Sequence, residues 1–322
     1  MIGPWLHGGD GTTPVGQMVF PSATDPRAQE YYAKWQKGVF QDDWDDWAAL
    51  PAVRVYHMGA PAGTEWRSYP TWPPPAIEYP LYLYHNGRPG PGNGSLLSGV
   101  IPRAGQVSFT SDPDNPCPTL GGTNNLVSCV PELRPDGTCG PYDQRQIEGR
   151  DGRDVLVFTS GTSGAWIVGR IHADVWIQTE LPDVDVFVRV TDVYPNGKSM
   201  LMAQGIQRAR YRNATCPDLL NGDPVLVRVD LWSTALVIPV GHRIRVIVSA
   251  SAGASLNSPP GTSPLYEINP QNGDEYIGAH PNRTGTINVL FGGQYASALY
   301  IPVPTGQTLP PDRRPNTHPC AP

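Results

Sequence analysis

The sequence contains no recognisable motif for a serine nucleophile. A serine that attacks carbonyl carbons commonly sits in a Gly-x-Ser-x-Gly turn between a strand and a helix. None of the 322 residues forms such a motif. The nearest string, Gly161–Ala165 (GTSGA), ends in alanine and has no helical pattern after it. We therefore interpret it as a loop between two strands, and we predict no nucleophile within these residues.

Metal chemistry is not indicated either. The histidines other than His7 show no His-Glu-x-x-His spacing, and the five cysteines include no Cys-x2-Cys pair. We expect no metal ion and no cofactor. The six other histidines are His57, His85, His172, His242, His280 and His318.

Two groups of acidic residues remain as candidates. Asp143, Gln144 and Arg145 place a carboxylate, an amide and a guanidinium in one loop, where they can build a bidentate hydrogen-bond network. A structural role for this loop is favoured over a catalytic one. Asp183 and Asp185 precede a strand, and we interpret them as solvated turn carboxylates rather than as an acid–base pair.

The composition limits the fold and the partners. Glycine (35) and proline (37) make up more than a fifth of the chain, which disfavours long helices and favours short strands joined by turns. The net charge of −6 comes without a basic run, so nucleic acid is not an expected partner. No apolar stretch reaches the ~18 residues of a membrane span, so no membrane partner is expected.

Hydrophobic periodicity predicts a mainly β fold after one N-terminal helix at 28–40. The Asn196–Gly197 pair between two alternating segments predicts a β-hairpin. Residues 85–152 are predicted to be mostly turns and loop, and 208–212 to extend the second arm of the hairpin. Eight or more short antiparallel strands suggest a jelly-roll (galactose-binding-like) sandwich. The predicted strands are 53–59, 77–84, 155–158, 169–179, 184–193, 198–204, 225–231, 242–248, 285–291 and 297–303.

An ordered set of motifs resembles one family, the X-prolyl dipeptidyl-peptidase and cocaine-esterase-like (CocE/NonD) serine hydrolases. The likeness covers residues 1–8 and 53–305, in the family's order. The matching segments are Ile2–His7 (IGPWLH), Val53–Gly59 (VRVYHMG), Glu65–Arg67 (EWR), Trp72–Pro73, Pro118–Thr123 (PTLGGT), Gly140–Arg145 (GPYDQR), Asp154–Val157 (DVLV), Val190–Gly197 (VTDVYPNG), Gly205–Arg212 (GIQRARYR) and Gly241–Arg245 (GHRIR).

The resemblance implies a domain plan and a catalytic role. Residues 1–75 would be the C-terminal remnant of an α/β-hydrolase catalytic domain, 76–305 a jelly-roll sandwich and 306–322 a flexible tail. His7 falls on the position of the general base, while the serine and aspartate of the triad would lie upstream of this chain. Asp143–Arg145 would then pin the sandwich against the hydrolase domain. The strand at 53–58 would be left with a bare edge, and the 322 residues alone would be inactive.

The function implied is the cleavage of ester or amide bonds by acyl transfer. The substrate is a small ester or peptide, and an X-Pro peptide, an acyl ester and a β-lactam all stay open, as does a homodimer. The alternative is a non-catalytic module that binds carbohydrate or protein through exposed aromatic side chains. Its candidate residues are Trp166, Trp176 and Trp232.

Glycosylation motifs and cysteines bear on the compartment. Asn-x-Ser/Thr sequons occur at Asn93, Asn213 and Asn282. Three of the cysteines fall within one loop-rich stretch, at Cys117, Cys129 and Cys139. Together these features favour a secreted protein with at least one disulfide, and a cytoplasmic protein is the alternative.

Overall fold

The computed structural model describes residues 1–5, 14–25, 27–87, 92, 94–112, 115–122, 140–162, 164–213, 218–251, 253–255 and 284–305. Its helices are α1 (Ala28–Gln41), α2 (Asp45–Ala48) and α3 (Arg145–Glu148). Its strands are β1 (Val53–Tyr56), β2 (Trp66–Tyr69), β3 (Ala76–His85), β4 (Gly94–Ser98), β5 (Gly105–Ser111), β6 (Pro118–Thr119), β7 (Val155–Thr159), β8 (Ala165–Gln178), β9 (Asp185–Val193), β10 (Ser199–Arg208), β11 (Val225–Ile238), β12 (Arg243–Ser249), β13 (Gly253–Ser255), β14 (Gly285–Phe291) and β15 (Ala298–Pro304).

Eleven strands form one large sheet that surrounds a common core. Its order is β10-β9-β12-β7-β4-β3-β15-β8-β14-β5, with β11 paired to β8. All pairs are antiparallel except β4 with β7. One cluster of buried side chains draws on both ends of the sheet and includes Phe158, Ile177, Val188, Val229 and Ile301. The prediction of a mainly β fold is confirmed.

The alternation of apolar residues decides which side of each strand enters the core. In β8, the alternate residues Ile171, Ala173, Val175 and Ile177 are buried in the core, while His172 and Trp176 on the other side are partly exposed. The hairpin of β9 and β10 is present as predicted, and the Tyr194 N–H donates to the Lys198 carbonyl at 2.8 Å across its turn. Gly197 adopts a φ of +84°, which an L side chain would disfavour.

The structure departs from the sequence prediction at two places. The segment 85–152 contains strands β4 and β5, which glycine- and proline-rich flanks concealed in the sequence. β4 pairs with its sequence neighbour β3 and with the distant β7, and β5 gains its hydrogen bonds from the distant β14. The second hairpin arm ends at Arg208, because Ala209–Tyr211 turns as a short 3-10 helix.

The N-terminal segment packs on the outer side of the large sheet. Val55 of β1 forms a small apolar cluster with Val168 and Ala235, and the Met58 N–H donates to the Ala235 carbonyl at 2.9 Å. The prediction that the strand at 53–58 has a bare edge was wrong. Strand β2 pairs along one side of β1, and the backbone of Ile2 bonds on the other. Within the described ranges, no helix has the length and apolarity required to cross a membrane.

Candidate functional site

His7 lies outside the described residues, and so do Asn93 and Asn282. The described segment before His7 is anchored, because the Trp5 indole N–H donates to the Ala23 carbonyl at 3.0 Å. The segment after it, 14–25, contributes to a cleft against the loop at 140–146. This cleft is the candidate functional site.

The cleft has a volume of about 440 Å³ and lies where the N-terminal segment meets the loop before α3. The backbone joins its two walls, since the Gln17 N–H donates to the Pro141 carbonyl at 2.8 Å. The Gln17 side chain adds a second link by accepting the Asp143 N–H at 3.0 Å. Polar side chains dominate the lining, which consists of Gln17, Leu120, Tyr142, Asp143, Arg145 and Gln146.

Asp143 organises the loop that carries Arg145. One carboxylate oxygen accepts the Ser199 N–H at 3.1 Å, and the other accepts Arg145 Nε at 2.8 Å. Partial burial opposes ionisation of this carboxyl, but the bonds from Arg145 and Ser199 outweigh it and lower the pKa of Asp143. The Arg145 guanidinium keeps most of its surface exposed to the cleft side, so it presents donors in a fixed orientation.

Gln144 is fully buried behind the cleft wall. Its side-chain amide donates to the carbonyls of Leu120 at 2.7 Å and Tyr142 at 3.1 Å. Its backbone N–H donates to the Ser199 carbonyl at 2.7 Å. This side chain therefore ties three segments together and is inaccessible to a substrate.

Glu148, at the end of α3, anchors the same loop to the large sheet. Its carboxylate accepts the Ser199 hydroxyl and pairs with Arg245 of β12. Arg245 also donates from Nε to Thr159 Oγ1 at 2.9 Å. Burial raises the pKa of Glu148, although Arg245 and Ser199 act in the opposite sense.

The sequence reasoning did not single out Glu148, Gln17 or Tyr142. The only signal for Glu148 was its spacing of three residues from Arg145, which places both on one side of a helical turn. Gln17 belongs to no motif, and Tyr142 lies in the GPYDQR segment without a role of its own. Their meeting depends on two segments that are more than a hundred residues apart. Within the described residues, the cleft combines hydrogen-bond donors and acceptors without a nucleophile and base in contact. It is suited to binding and orienting a polar group.

Asp183 and Asp185 are buried, so the prediction of solvated carboxylates was wrong. Asp183 lies 3.3 Å from Arg210 Nε, and Asp185 lies 3.3 Å from Arg208 Nε. Burial raises the pKa of Asp185 to about 7, against the opposing charge of Arg208. These two carboxylates and two guanidinium groups form an internal charge network beneath the end of β10, in which each buried carboxylate is paired with one guanidinium.

The remaining candidates lie apart from the cleft. Asn213 is exposed, and its amide lies 3.4 Å from the Asp218 carboxylate. Cys117 is a buried free thiol, while Cys129 and Cys139 lie outside the described residues. His57 is buried and lies 2.9 Å from the Tyr69 hydroxyl. Burial lowers the pKa of His57 to about 4, with Arg67 acting in the same direction, which keeps the ring neutral near pH 7.

A family model for the X-Pro dipeptidyl-peptidase C-terminal non-catalytic domain matches residues 45–300. The chain belongs to this family. The chain is also 31% identical over 260 residues to cocaine esterase of Rhodococcus sp. (strain MB1 Bresler). That match covers 78% of this chain and 43% of the esterase.

Solved structures show the same fold at lower identity. An aminopeptidase from the marine sediment archaeon Thaumarchaeota archaeon superposes with a TM-score of 0.71 at 22% identity, over 91% of this chain and 47% of that one. An alpha-amino acid ester hydrolase gives 0.65 at 23% identity, over 91% and 47%. A CocE/NonD family hydrolase from Staphylococcus aureus gives 0.60 at 18%, over 89% and 48%. The chain spans about half the length of the relatives it matches.

Proposed function

We propose that this chain is the C-terminal part of a serine hydrolase that cleaves ester or amide bonds by acyl transfer. The observation that carries the proposal is the family match over residues 45–300, together with the 31% identity to an esterase. In this proposal the nucleophilic serine and the triad aspartate belong to sequence upstream of these 322 residues. The absence of a Gly-x-Ser-x-Gly motif in the chain is consistent with that division.

His7 would serve as the general base. A neutral imidazole nitrogen takes the proton of the serine hydroxyl as the oxygen attacks, and the imidazolium later returns the proton to the leaving group. Histidine suits both steps because its side chain gains and loses a proton near neutral pH. The upstream aspartate would hold the other ring nitrogen and fix the tautomer.

The cleft at Gln17, Tyr142 and Arg145 would supply part of the substrate-binding wall. Its near wall includes Gln17, which lies ten residues after His7 in the chain. The Asp143–Arg145 pair holds the guanidinium in place, which limits the entropy lost when a polar substrate group binds. An X-Pro peptide, an acyl ester and a β-lactam side chain all carry carbonyl oxygens that such donors can bind.

Fluorophosphonate labelling and a histidine substitution test the proposal. The isolated 322-residue chain should not react with a fluorophosphonate probe, whereas the longer protein should be labelled at a serine upstream of Met1. In that longer protein, His7→Ala should lower kcat by several powers of ten, because triad members act as a unit. His318→Ala is the matched control and should leave kcat unchanged. Stoichiometric labelling of the isolated chain, or full activity of the His7→Ala enzyme, would contradict the assignment.

Secretion and glycosylation form a separate part of the proposal. Asn213 is exposed within an Asn-x-Thr sequon, so its amide is available to a glycosylating enzyme. Intact-mass measurement before and after enzymatic deglycosylation of protein from its native source should show a loss of glycan mass. The Asn213→Gln variant should lack the part of that loss due to this site. An unchanged mass for the native protein would rule out modification at Asn213.

A further inference from the structure

The outward side of four neighbouring strands forms a continuous surface that the proposed hydrolase function does not use. Strands β3, β15, β8 and β11 lie side by side in the large sheet, and we call their solvent side the outer face. At one end the N-terminal segment covers this face, where Val55 contacts Val168. On this side of β8, Arg170 is exposed, and His172, Trp176 and Gln178 are partly exposed. Asp174 lies on the same side but is buried.

Trp232 is the most unusual residue of the outer face. Its side chain is 68% exposed, and its backbone φ is +67°, a left-handed conformation that bulky residues rarely adopt. It lies at a β-bulge, where the register between β11 and β8 shifts between Asp230 and Ser233. The Asp230 carboxylate accepts the Trp232 N–H at 3.1 Å and holds the bulge in place. Bulges of this kind re-aim a side chain, and an observed backbone outlier is a ground for inferring function.

More aromatic rings follow along the same face. The His172 and Tyr300 rings stack with centroids 4.7 Å apart at 9°. Trp176 and Tyr295 contact each other at 5.0 Å. Trp232 lies beside the Arg170–His172 part of β8, so the two tryptophans are separated by about five residues, or roughly 17 Å of strand. The outer face thus carries two groups of rings: Trp232, His172 and Tyr300 lie at about one level across β11, β8 and β15, and Trp176 with Tyr295 lies further along β8.

The charges between these rings cancel in pairs. Arg170 binds the Asp230 carboxylate through two nitrogens. Arg228 binds Asp174 in the same way, at 2.7 and 2.8 Å. Glu78 adds one further carboxylate, whose oxygen lies 3.8 Å from His172 Nδ1. The outer face therefore offers fixed donors and acceptors with a small negative excess, which does not favour a polyanion.

We propose that the outer face binds a neutral polysaccharide. Sugar rings present apolar C–H faces that pack on indole and phenol rings, and their hydroxyl groups can bond to the paired charges between those rings. One sugar chain can pack on both groups of rings, whereas the ion pairs and the Glu78 carboxylate do not favour a nucleic acid or an acidic peptide. This inference is independent of the proposed hydrolase function, since it uses neither His7 nor the cleft.

Native affinity electrophoresis of the 322-residue chain tests the inference. Gels would contain hydroxyethylcellulose, galactomannan or xylan as neutral probes, and polygalacturonate as a charged comparison. At least one neutral polymer should retard the chain, and the retardation should persist in 0.3 M salt because no net charge drives it. Retardation by polygalacturonate alone, or by none of the polymers, would overturn the proposal.

The Trp232→Gly variant distinguishes a loss of polysaccharide binding from a loss of folding. Glycine accepts a φ of +67° without strain, so this variant removes the ring while keeping or raising the Tm. It should weaken retardation by the best neutral polymer at least tenfold. Trp35→Ala is the control, because Trp35 is 44% exposed on α1 and lies away from the outer face. Equal retardation of the Trp232→Gly variant and the parent would show that the ring does not bind sugar.

Discussion

Removal of the Glu148 carboxylate should loosen α3 and, with it, the wall of the cleft. This buried side chain accepts the Ser199 hydroxyl and pairs with the Arg245 guanidinium. Truncation of one partner of a buried ion pair costs about 3–5 kcal/mol, because the other charge is left without compensation. Arg245 keeps about a fifth of its side-chain surface in water and a bond to Thr159, so we expect the lower end of that range. Glu148→Ala should lower the free energy of unfolding by about 3 kcal/mol.

Glu148→Gln should be much milder. Burial raises the pKa of Glu148, which means that the folded protein holds the ionised carboxylate at some cost. The amide fills the same volume and keeps an oxygen that can accept from Ser199 and Arg245, so Arg245 keeps a hydrogen-bond partner although it loses its counter-charge. We expect a loss of about 1–2 kcal/mol, smaller than that of Glu148→Ala.

The assay is urea unfolding monitored by circular dichroism. It compares the parent with Glu148→Ala, Glu148→Gln, Arg245→Met and the Glu148→Ala/Arg245→Met double variant. The two sites are in contact, so the double variant should lose less than the sum of the two single losses, by about 1–3 kcal/mol. Additive losses, or a Glu148→Ala variant as stable as Glu148→Gln, would refute the assignment of this pair as the anchor of α3. An altered m value would indicate a change in the unfolded or partly folded states instead.

Three further predictions concern single residues. Gln144→Leu should lower the free energy of unfolding by about 2 kcal/mol, because two backbone carbonyls lose a buried donor, while the exposed neighbour change Gln146→Ala should cost less than ~0.5 kcal/mol in the same urea assay. Burial raises the pKa of Asp151 from 3.8 to about 6, so its contribution to stability is largest below pH 4 and is lost as the pH rises towards 6 and above. Asp151→Asn should remove that part of the pH dependence, and identical profiles for parent and variant between pH 4 and 8 would disprove it. Gly94→Ala should prevent the β4–β7 contact, because the new Cβ would lie 2.0 Å from the Val157 carbonyl oxygen, and a normal Tm for this variant would contradict the packing.

Sequence periodicity identified the strands whose alternation is strong. β9 and β12 were predicted within a few residues, because inward Ile and Val side chains at every second position leave few other ways to bury them. β10 was located as the second arm of the hairpin that β9 begins. The Asn196–Gly197 pair located the hairpin turn for a local reason, since Gly197 supplies the positive φ that the turn needs. The order of motifs identified the family, which the match over residues 45–300 confirms.

The tertiary structure alone decided the partners of the polar groups. Glu148 and Arg245 are 97 residues apart, and nothing in either local pattern predicts their contact. Asp183 and Asp185 looked like solvated turn residues, yet the fold buries them against Arg210 and Arg208. The alternation of buried apolar side chains is visible within the sequence of a single strand, whereas a charge pair forms only where two distant segments meet. Hydrophobic pattern therefore determined the strands of this protein, and only the packed sheet determined its charge networks, its cleft and the exposed ring of Trp232.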